Sequence, residues 1–234
     1  MLLEVEKIYT AYGLSRVLFG ISIEVDRGDV VALLGRNGVG KTTTLRSIMG
    51  LTPPQSGSIK WMAQEITGLP PHKIARMGIG FVPEDRRIFS DLTVWENLDV
   101  ATRSAGSGGA GWSIARVFRL FPALGAISNR RGGYLSGGEQ QMLTIARSLM
   151  GNPKLLLLDE PSEGLAPVVV QQLGKQISEL KREGMTILLS EQNSEFSLGL
   201  SNRVYILEKG EVRFKGSVGE FMKDEETCRA YLTV

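Results

Sequence analysis

The stretch Gly35-Arg36-Asn37-Gly38-Val39-Gly40-Lys41-Thr42 constrains this chain more than any other, because it fits the pattern G-x-x-x-x-G-K-[ST] at every fixed position. Glycines lack a Cβ, so the backbone can wrap an anion and turn successive N–H groups toward it, and the start of a following helix adds its dipole. The flanks agree with this reading. Residues 30–34, Val-Val-Ala-Leu-Leu, form the short continuous apolar run of a buried parallel strand, and residues 41–49 carry a helical pattern that stops at Gly50. In such a loop Lys41 reaches the β and γ phosphates of a nucleotide as a point charge. Thr42 offers its hydroxyl to Mg²⁺, and Thr43 donates to a neighbouring phosphate.

A phosphate loop needs a partner strand that ends in carboxylates. Four leucines at 155–158 run into Asp159-Glu160. At the end of a buried strand Asp159 would hold Mg²⁺, usually through water, and Glu160 would polarise the attacking water. A third element is Leu135-Ser136-Gly137-Gly138-Glu139-Gln140-Gln141. Ser136, Gly137 and Gly138 make a small polar approach to a helix expected over 139–150, and a helix start favours anions. One triphosphate rarely needs two such sites in one chain.

The remaining pattern predicts an α/β fold with a segregated helical insertion. Leu3 and Val5 alternate with Glu4 and Glu6, and residues 17–25 are β-rich, so both read as an antiparallel edge layer. A further edge strand is expected at 57–61, a helix near 73–77 and a short buried strand at 79–82. From about 85 to 151 the chain reads as largely helical, broken by a glycine- and serine-rich loop over 104–111; Pro122 can end or kink the helix carrying Val117, Leu120, Phe121 and Leu124. Val170, Leu173, Ile177 and Leu180 line one face of a long helix stopped by Gly184, and 186–190 is strand again. A helix after Asn193, a hairpin of 204–207 and 212–214 turning at Lys209-Gly210, and C-terminal helical turns complete the pattern. The expected organisation is a single nucleotide-binding domain over 1–234, with a catalytic core of 1–84 and 152–234 and a helical lobe of about 85–151.

Composition excludes several classes. The longest apolar runs fall far short of the roughly 20 residues a membrane-crossing helix requires. The opening MLLEVEKIYT lacks the basic and apolar regions of a secretion signal, so the chain is expected in the cytoplasm. A net charge of +2, with basic residues scattered, points to no nucleic-acid partner. The single cysteine, Cys228, cannot form an intramolecular disulfide, and the single histidine, His72, follows Pro70-Pro71 as a surface or capping residue would. Trp61, Trp95 and Trp112 are expected to pack the core or a partner surface.

With LSGGE following the phosphate loop, the chain resembles the ATP-binding-cassette family of phosphate-loop ATPases, and the resemblance covers essentially its whole length. In that family the signature peptide closes on the γ phosphate held by an opposite subunit. The resemblance implies a head-to-tail sandwich with two ATP molecules at the interface, bound with Mg²⁺, and Tyr12 as an aromatic ring stacked on adenine. It also implies transmembrane permease subunits, and hence a place on the cytoplasmic face of the membrane. Three positions depart from the commonest family pattern: Glu84 replaces a glutamine and adds a third candidate Mg²⁺ ligand, Gln192 replaces a histidine facing the γ phosphate, and Ala166 replaces an aspartate. Because Gln192 cannot carry a proton, Glu160 should bear the water-activating role. Together with Pro83-Glu84-Asp85-Arg86-Arg87-Ile88-Phe89, Ser190-Glu191-Gln192-Asn193 and the segment 225–232, these features are similar to the shorter ATP-binding subunit of branched-chain amino-acid importers. Relatives of that group carry urea, short amides or aromatic acids, and such systems include a sister ATP-binding subunit and an external solute-binding protein. The competing readings are a non-transport cassette acting on nucleic acid or ribosomes, and a regulatory cassette that binds nucleotide without turnover.

Overall fold

The computed structural model describes residues 1–103, 111–224, 228 and 231. Strands β1 (Leu3–Tyr12) and β2 (Ser15–Val25) form the expected antiparallel pair, and β3 (Val30–Leu34) leads through the glycine loop into α1 (Lys41–Ile48). Next come β4 (Ser56–Trp61), β5 (Gln64–Glu65), α2 (Pro71–Arg76) and β6 (Ile79–Val82). The helices α3 (Val94–Asp99), α4 (Ile114–Leu120), α5 (Pro122–Ala126) and α6 (Gly137–Met150) follow. The chain closes with β7 (Leu155–Asp159), α7 (Pro167–Arg182), β8 (Thr186–Glu191), α8 (Ser194–Leu200), the hairpin β9 (Arg203–Glu208) and β10 (Glu211–Ser217), and α9 (Val218–Lys223).

Among the described residues the strands form two sheets, a four-stranded one in the order β2-β1-β4-β5 and a six-stranded one in the order β10-β9-β3-β8-β7-β6. In the second sheet every neighbouring pair is parallel except the β9–β10 hairpin. Side chains alternate across a strand, and that alternation divides the apolar core in two. Val31, Leu33, Leu155, Leu157 and Leu188 face the antiparallel sheet and α1, where they join Ile8, Ile21, Trp61 and Leu45. Leu156, Leu158, Ile187 and Leu189 face the other way, onto Leu143, Leu149, Leu173 and Ile177 of α6 and α7. Being covered on both faces is why β3, β7 and β8 read as unbroken apolar runs.

Local chemistry sets the helix boundaries. Pro122 separates α4 from α5 and occupies the first turn of the second, where its missing N–H costs nothing. Helix α6 starts earlier than the pattern 139–150 indicates, because Ser136 and Glu139 form a reciprocal capping box that opens it at Gly137. Trp61 and Trp112 are buried, whereas Trp95 is 44% exposed. The short strand β5 has no counterpart in the sequence pattern. Residues 104–110 of the expected glycine-rich loop, and most of the segment 225–232, lie outside the described residues.

The β9–β10 turn fastens the two sheets together beside the phosphate loop. Gly210 N donates to Val39 O (3.0 Å), and Phe19 N donates to Gly210 O (2.8 Å). A Cβ on Gly210 would lie 2.1 Å from Val17 O, and the residue sits at φ 78. Gly210→Ala should therefore lower unfolding free energy by about 1–3 kcal/mol and weaken nucleotide binding through Val39. Denaturant titration and nucleotide-binding isotherms of the variant check both effects.

Candidate active site

The register of the parallel sheet aligns three strand ends. Asp159 pairs with Ser190 and Leu34 with Glu191, so the phosphate loop after β3, the acidic pair at the end of β7 and Ser190–Gln192 at the end of β8 open onto one edge. In open α/β sheets this carboxyl edge is where ligands bind.

The glycine loop is wrapped around its own lysine. Lys41 Nζ donates to Gly35 O (2.8 Å) and Arg36 O (3.1 Å) and pairs with Glu160 Oε1 at 3.0 Å. Lys41 and Glu160 are both buried, while Arg36, Asn37 and Gly38 are exposed at the rim, with Val39 half-buried beneath them. Gly40 adopts φ 110 at the start of α1, and a Cβ there would meet Leu18 at 2.5 Å. The lysine charge is thus held by groups that an incoming phosphate can replace. Thr43 is buried in the first turn of α1, and Tyr12 is 46% exposed at the end of β1, free to stack on a flat ring.

Asp159 is fixed from both sides. Thr42 Oγ1 donates to Asp159 Oδ1 at 3.0 Å, and Ser190 Oγ donates to the same oxygen at 2.6 Å. Burial nevertheless pushes the Asp159 carboxyl above its usual range; the two donors oppose the shift, and the negative charges of Glu160 and Glu84 add to it. Glu160 N donates to Ser190 O (3.0 Å) and lies 3.3 Å from Ser190 Oγ. These bonds hold Glu160 at φ 43, a left-handed backbone that costs a non-glycine residue on the order of 1–3 kcal/mol.

Hard oxygen ligands, a hydroxyl and a carboxylate whose charge lacks compensation, fit Mg²⁺, which binds one or two carboxylates together with substrate phosphates. Among the described residues no group of three or more His, Cys, Asp or Glu side chains could hold a metal by itself. Glu84 is exposed; its charge raises both Asp159 and Glu163.

Gln192, Glu160, Ser162, Glu163, Glu191 and Asn193 line one cavity of about 280 Å³. The sequence pattern marked Glu160 and Gln192 separately, as candidates facing the water and the γ phosphate. It missed Ser190, Glu191 and Glu163. The available signal was the polar pair Ser190-Glu191 closing an apolar strand, the same pattern as Asp159-Glu160. The Glu163 carboxyl is pushed up to about 7, chiefly by a hydrogen bond to Glu160, then by burial and by the charges of Glu160, Glu84 and Glu191.

The signature residues sit elsewhere. Ser136 N donates to Glu139 Oε2 (2.7 Å) and Glu139 N to Ser136 Oγ (3.4 Å), so both side chains are engaged in opening α6. Gly137 lies against the Arg86 guanidinium and Gly138 against Val169 of α7. Thr144 Oγ1 of α6 donates to Arg86 O at 2.6 Å, which ties the segment after Glu84 to the same helix.

A lysine-centred glycine loop, a strand-end carboxylate on the loop threonine and a second carboxylate beside it define a phosphate-loop nucleoside triphosphatase. The family model described as ABC transporter matches residues 18–163, and the chain belongs to that family as an ATP-binding, ATP-hydrolysing cassette. It is 43% identical over 231 residues, covering 99% of both chains, to the high-affinity branched-chain amino acid transport ATP-binding protein BraG of Pseudomonas aeruginosa. It is 34% identical over 232 residues (98% of this chain, 96% of the other) to the lipopolysaccharide export system ATP-binding protein LptB of Escherichia coli. Its fold matches the ADP conformation of an ATP-binding cassette of an ABC transporter with a TM-score of 0.82 at 26% identity, covering 100% of this chain and 99% of that one. No helix among the described residues is long and apolar enough to cross a membrane.

The raised Glu163 carboxyl carries a pH signature. The folded state holds a proton on Glu163 that the unfolded state releases near 4.5, so stability is lost as pH rises from 4.5 through about 7. Glu163→Gln removes this titration, and its stability relative to the parent should increase across that window and level off above it. Urea unfolding at a series of pH values measures the difference.

Proposed function

We propose that this chain powers the import of branched-chain or related amino acids, as one half of a pair of cassettes that closes on two MgATP molecules. The observation that carries the catalytic part is the buried Lys41–Glu160 pair beside Asp159. A triphosphate entering the loop competes with Glu160 and two carbonyls for Lys41, and it places its γ phosphorus near the cavity shared by Glu160 and Gln192. Glu160, released from the lysine, orients and activates the attacking water, and the Gln192 amide hydrogen-bonds the γ phosphate. Thr42 and Asp159, with Glu84 at the margin, would hold Mg²⁺, which would supply charge neutralisation to the phosphates when bound. Catalysis is mainly positioning and charge stabilisation of an in-line displacement.

Completion of the site from a second subunit is supported by the signature start at Ser136, Gly137 and Gly138, which opens a helix anchored to Arg86 and α7. Loss of the γ phosphate removes the anion that joins the two halves, so the pair reopens. In this reading the core spans 1–84 and 152–234 and the lobe about 85–151, and the tie between Thr144 and Arg86 carries the motion toward membrane-embedded permease subunits. The cassette then lies on the cytoplasmic face of the membrane. Its direct partners are the permeases and a second ATP-binding subunit, and a solute-binding protein acts indirectly.

Import of amino acids is favoured by the 43% identity to BraG over nearly the full chain, together with Glu84, Gln192 and Ala166. The LptB relative, at 34%, supports a second reading in which the same engine drives export. Isolation of the complex with its permeases decides between them: a solute-binding protein and ATP-dependent leucine uptake support import, and their absence with a lipid-carrying partner supports export.

Glu160→Gln should lower turnover by about 10²–10⁴-fold while leaving nucleotide binding intact, and MgATP should then accumulate a closed pair. Phosphate release and gel filtration with MgATP measure both; unchanged turnover would defeat the assignment of Glu160.

A further inference from the structure

The hydrolytic residues stand on two loops that leave different strands, and one buried carboxylate joins those loops. Glu191, the last residue of β8, is 2% exposed. Its Oε1 accepts from Ser162 N at 3.0 Å, and its Oε2 accepts from Gln192 N at 3.2 Å and Asn193 N at 3.3 Å. Ser162 lies two residues beyond Glu160, in the turn between β7 and α7. Gln192 lines the same cavity as Glu160.

We propose that Glu191 is a positioning residue for ATP hydrolysis, one carboxylate that sets Gln192 against Glu160 by holding the backbone of both loops. It rests on the reading that Gln192 and Glu160 act on the γ phosphate and the water. The geometry leaves Glu191 little other purpose. Helix α8 has its own cap, Asn193 Oδ1 accepting from Phe196 N at 3.0 Å, and so needs nothing from Glu191 to begin. The turn after Glu160 closes with Glu163 N on Glu160 O (3.1 Å) and Leu165 N on Ser162 O (3.3 Å), which leaves Ser162 N as the donor aimed at the carboxylate. From the strand side Ser190 fixes Asp159 and Glu160, while Glu191 fixes the segment beyond them. Burial pushes the Glu191 carboxyl above its usual range and its hydrogen bonds oppose the shift without reversing it; a carboxylate is the side chain whose two oxygens can accept all three backbone donors. A glutamine at 192 has no charge to draw it to its target, so its backbone must be held.

Glu191→Gln keeps the shape and burial but leaves one accepting oxygen, so one loop is released. Glu191→Asp keeps the charge but is one methylene shorter and spans the two loops incompletely. Steady-state ATP hydrolysis by the full-length chain, with the unsubstituted protein as control, should show kcat falling about tenfold or more in Glu191→Gln and by less in Glu191→Asp. KM for ATP should stay within about twofold, since Glu191 does not touch the phosphate loop. In a Gln192→Ala background the same Glu191→Gln substitution should cost less than it does alone, because the part of its effect that passes through Gln192 is already lost. The proposal is overturned by full turnover in Glu191→Gln, by a loss that multiplies undiminished with Gln192→Ala, or by a loss matched only by a lower melting temperature with unchanged turnover per folded molecule. If Glu191→Gln does not fold, Glu191→Asp is read by the same criteria, alone and in the Gln192→Ala background. Absence of turnover in the control itself, with ATP bound, would instead fault the hydrolytic reading on which the proposal rests.

Discussion

Lys41 holds a full positive charge where water barely reaches, and the arrangement around it follows from that. A buried ammonium is tolerated only when its hydrogens are satisfied and its charge is compensated. Two carbonyls of the glycine loop and the Glu160 carboxylate meet both needs. The loop is thereby held in a curve that leaves room for phosphate, and the second acidic residue is parked on the lysine that phosphate would claim. In the proposed function, binding of a phosphate would displace Glu160 from Lys41, so the two events would be one exchange.

Holding Glu160 there demands a backbone that its side chain would not choose. The residue sits at φ 43 directly before Pro161, and the bonds from Glu160 N to Ser190 keep it in place. Around it Asp159, Glu163 and Glu191 each have the protonated form favoured, in part by the charge of Glu160, and Glu84 adds to the shift of Asp159 and Glu163. Such crowding of negative charge is costly, and a divalent cation held by Thr42 and Asp159 would offset it. The site is organised for a charge that arrives with the substrate.

The remainder of the fold serves alignment. Strands β3, β7 and β8 are covered on both faces, so their register is fixed by packing as well as by hydrogen bonds, and their ends cannot slide relative to one another. The β9–β10 turn pins the antiparallel sheet to the phosphate loop through Gly210. Helix α6 carries the signature peptide at its capped start and is bonded to the segment after Glu84, so that a contact at Ser136 and a displacement near Arg86 are mechanically joined.

Much of this was legible in the linear chain. The phosphate loop, the leucine run ending in Asp159-Glu160, the Ser136–Glu139 helix start and the apolar strands are local patterns, each set by chemistry within a few residues, and the structure contains all of them. Extents shifted by a few residues, as where Ser136 caps α6 and opens it at Gly137 and where β10 runs over Glu211–Ser217 instead of 212–214, and β5 (Gln64–Glu65) was too short to show an alternation. What the sequence could not decide is which distant residues meet. Ser190 reaches Asp159 across 31 positions and Glu191 reaches Ser162 across 29, contacts that exist because parallel strands separated by a long helix fall into one register. Local pattern specifies a strand and where it ends, whereas the pairing of strand ends is chosen by the packing of the whole sheet. So the sequence by itself determined the phosphate-loop pattern and the strand that ends in Asp159-Glu160. Only the tertiary structure decided that Ser190, Glu191 and Glu163 belong to the same site.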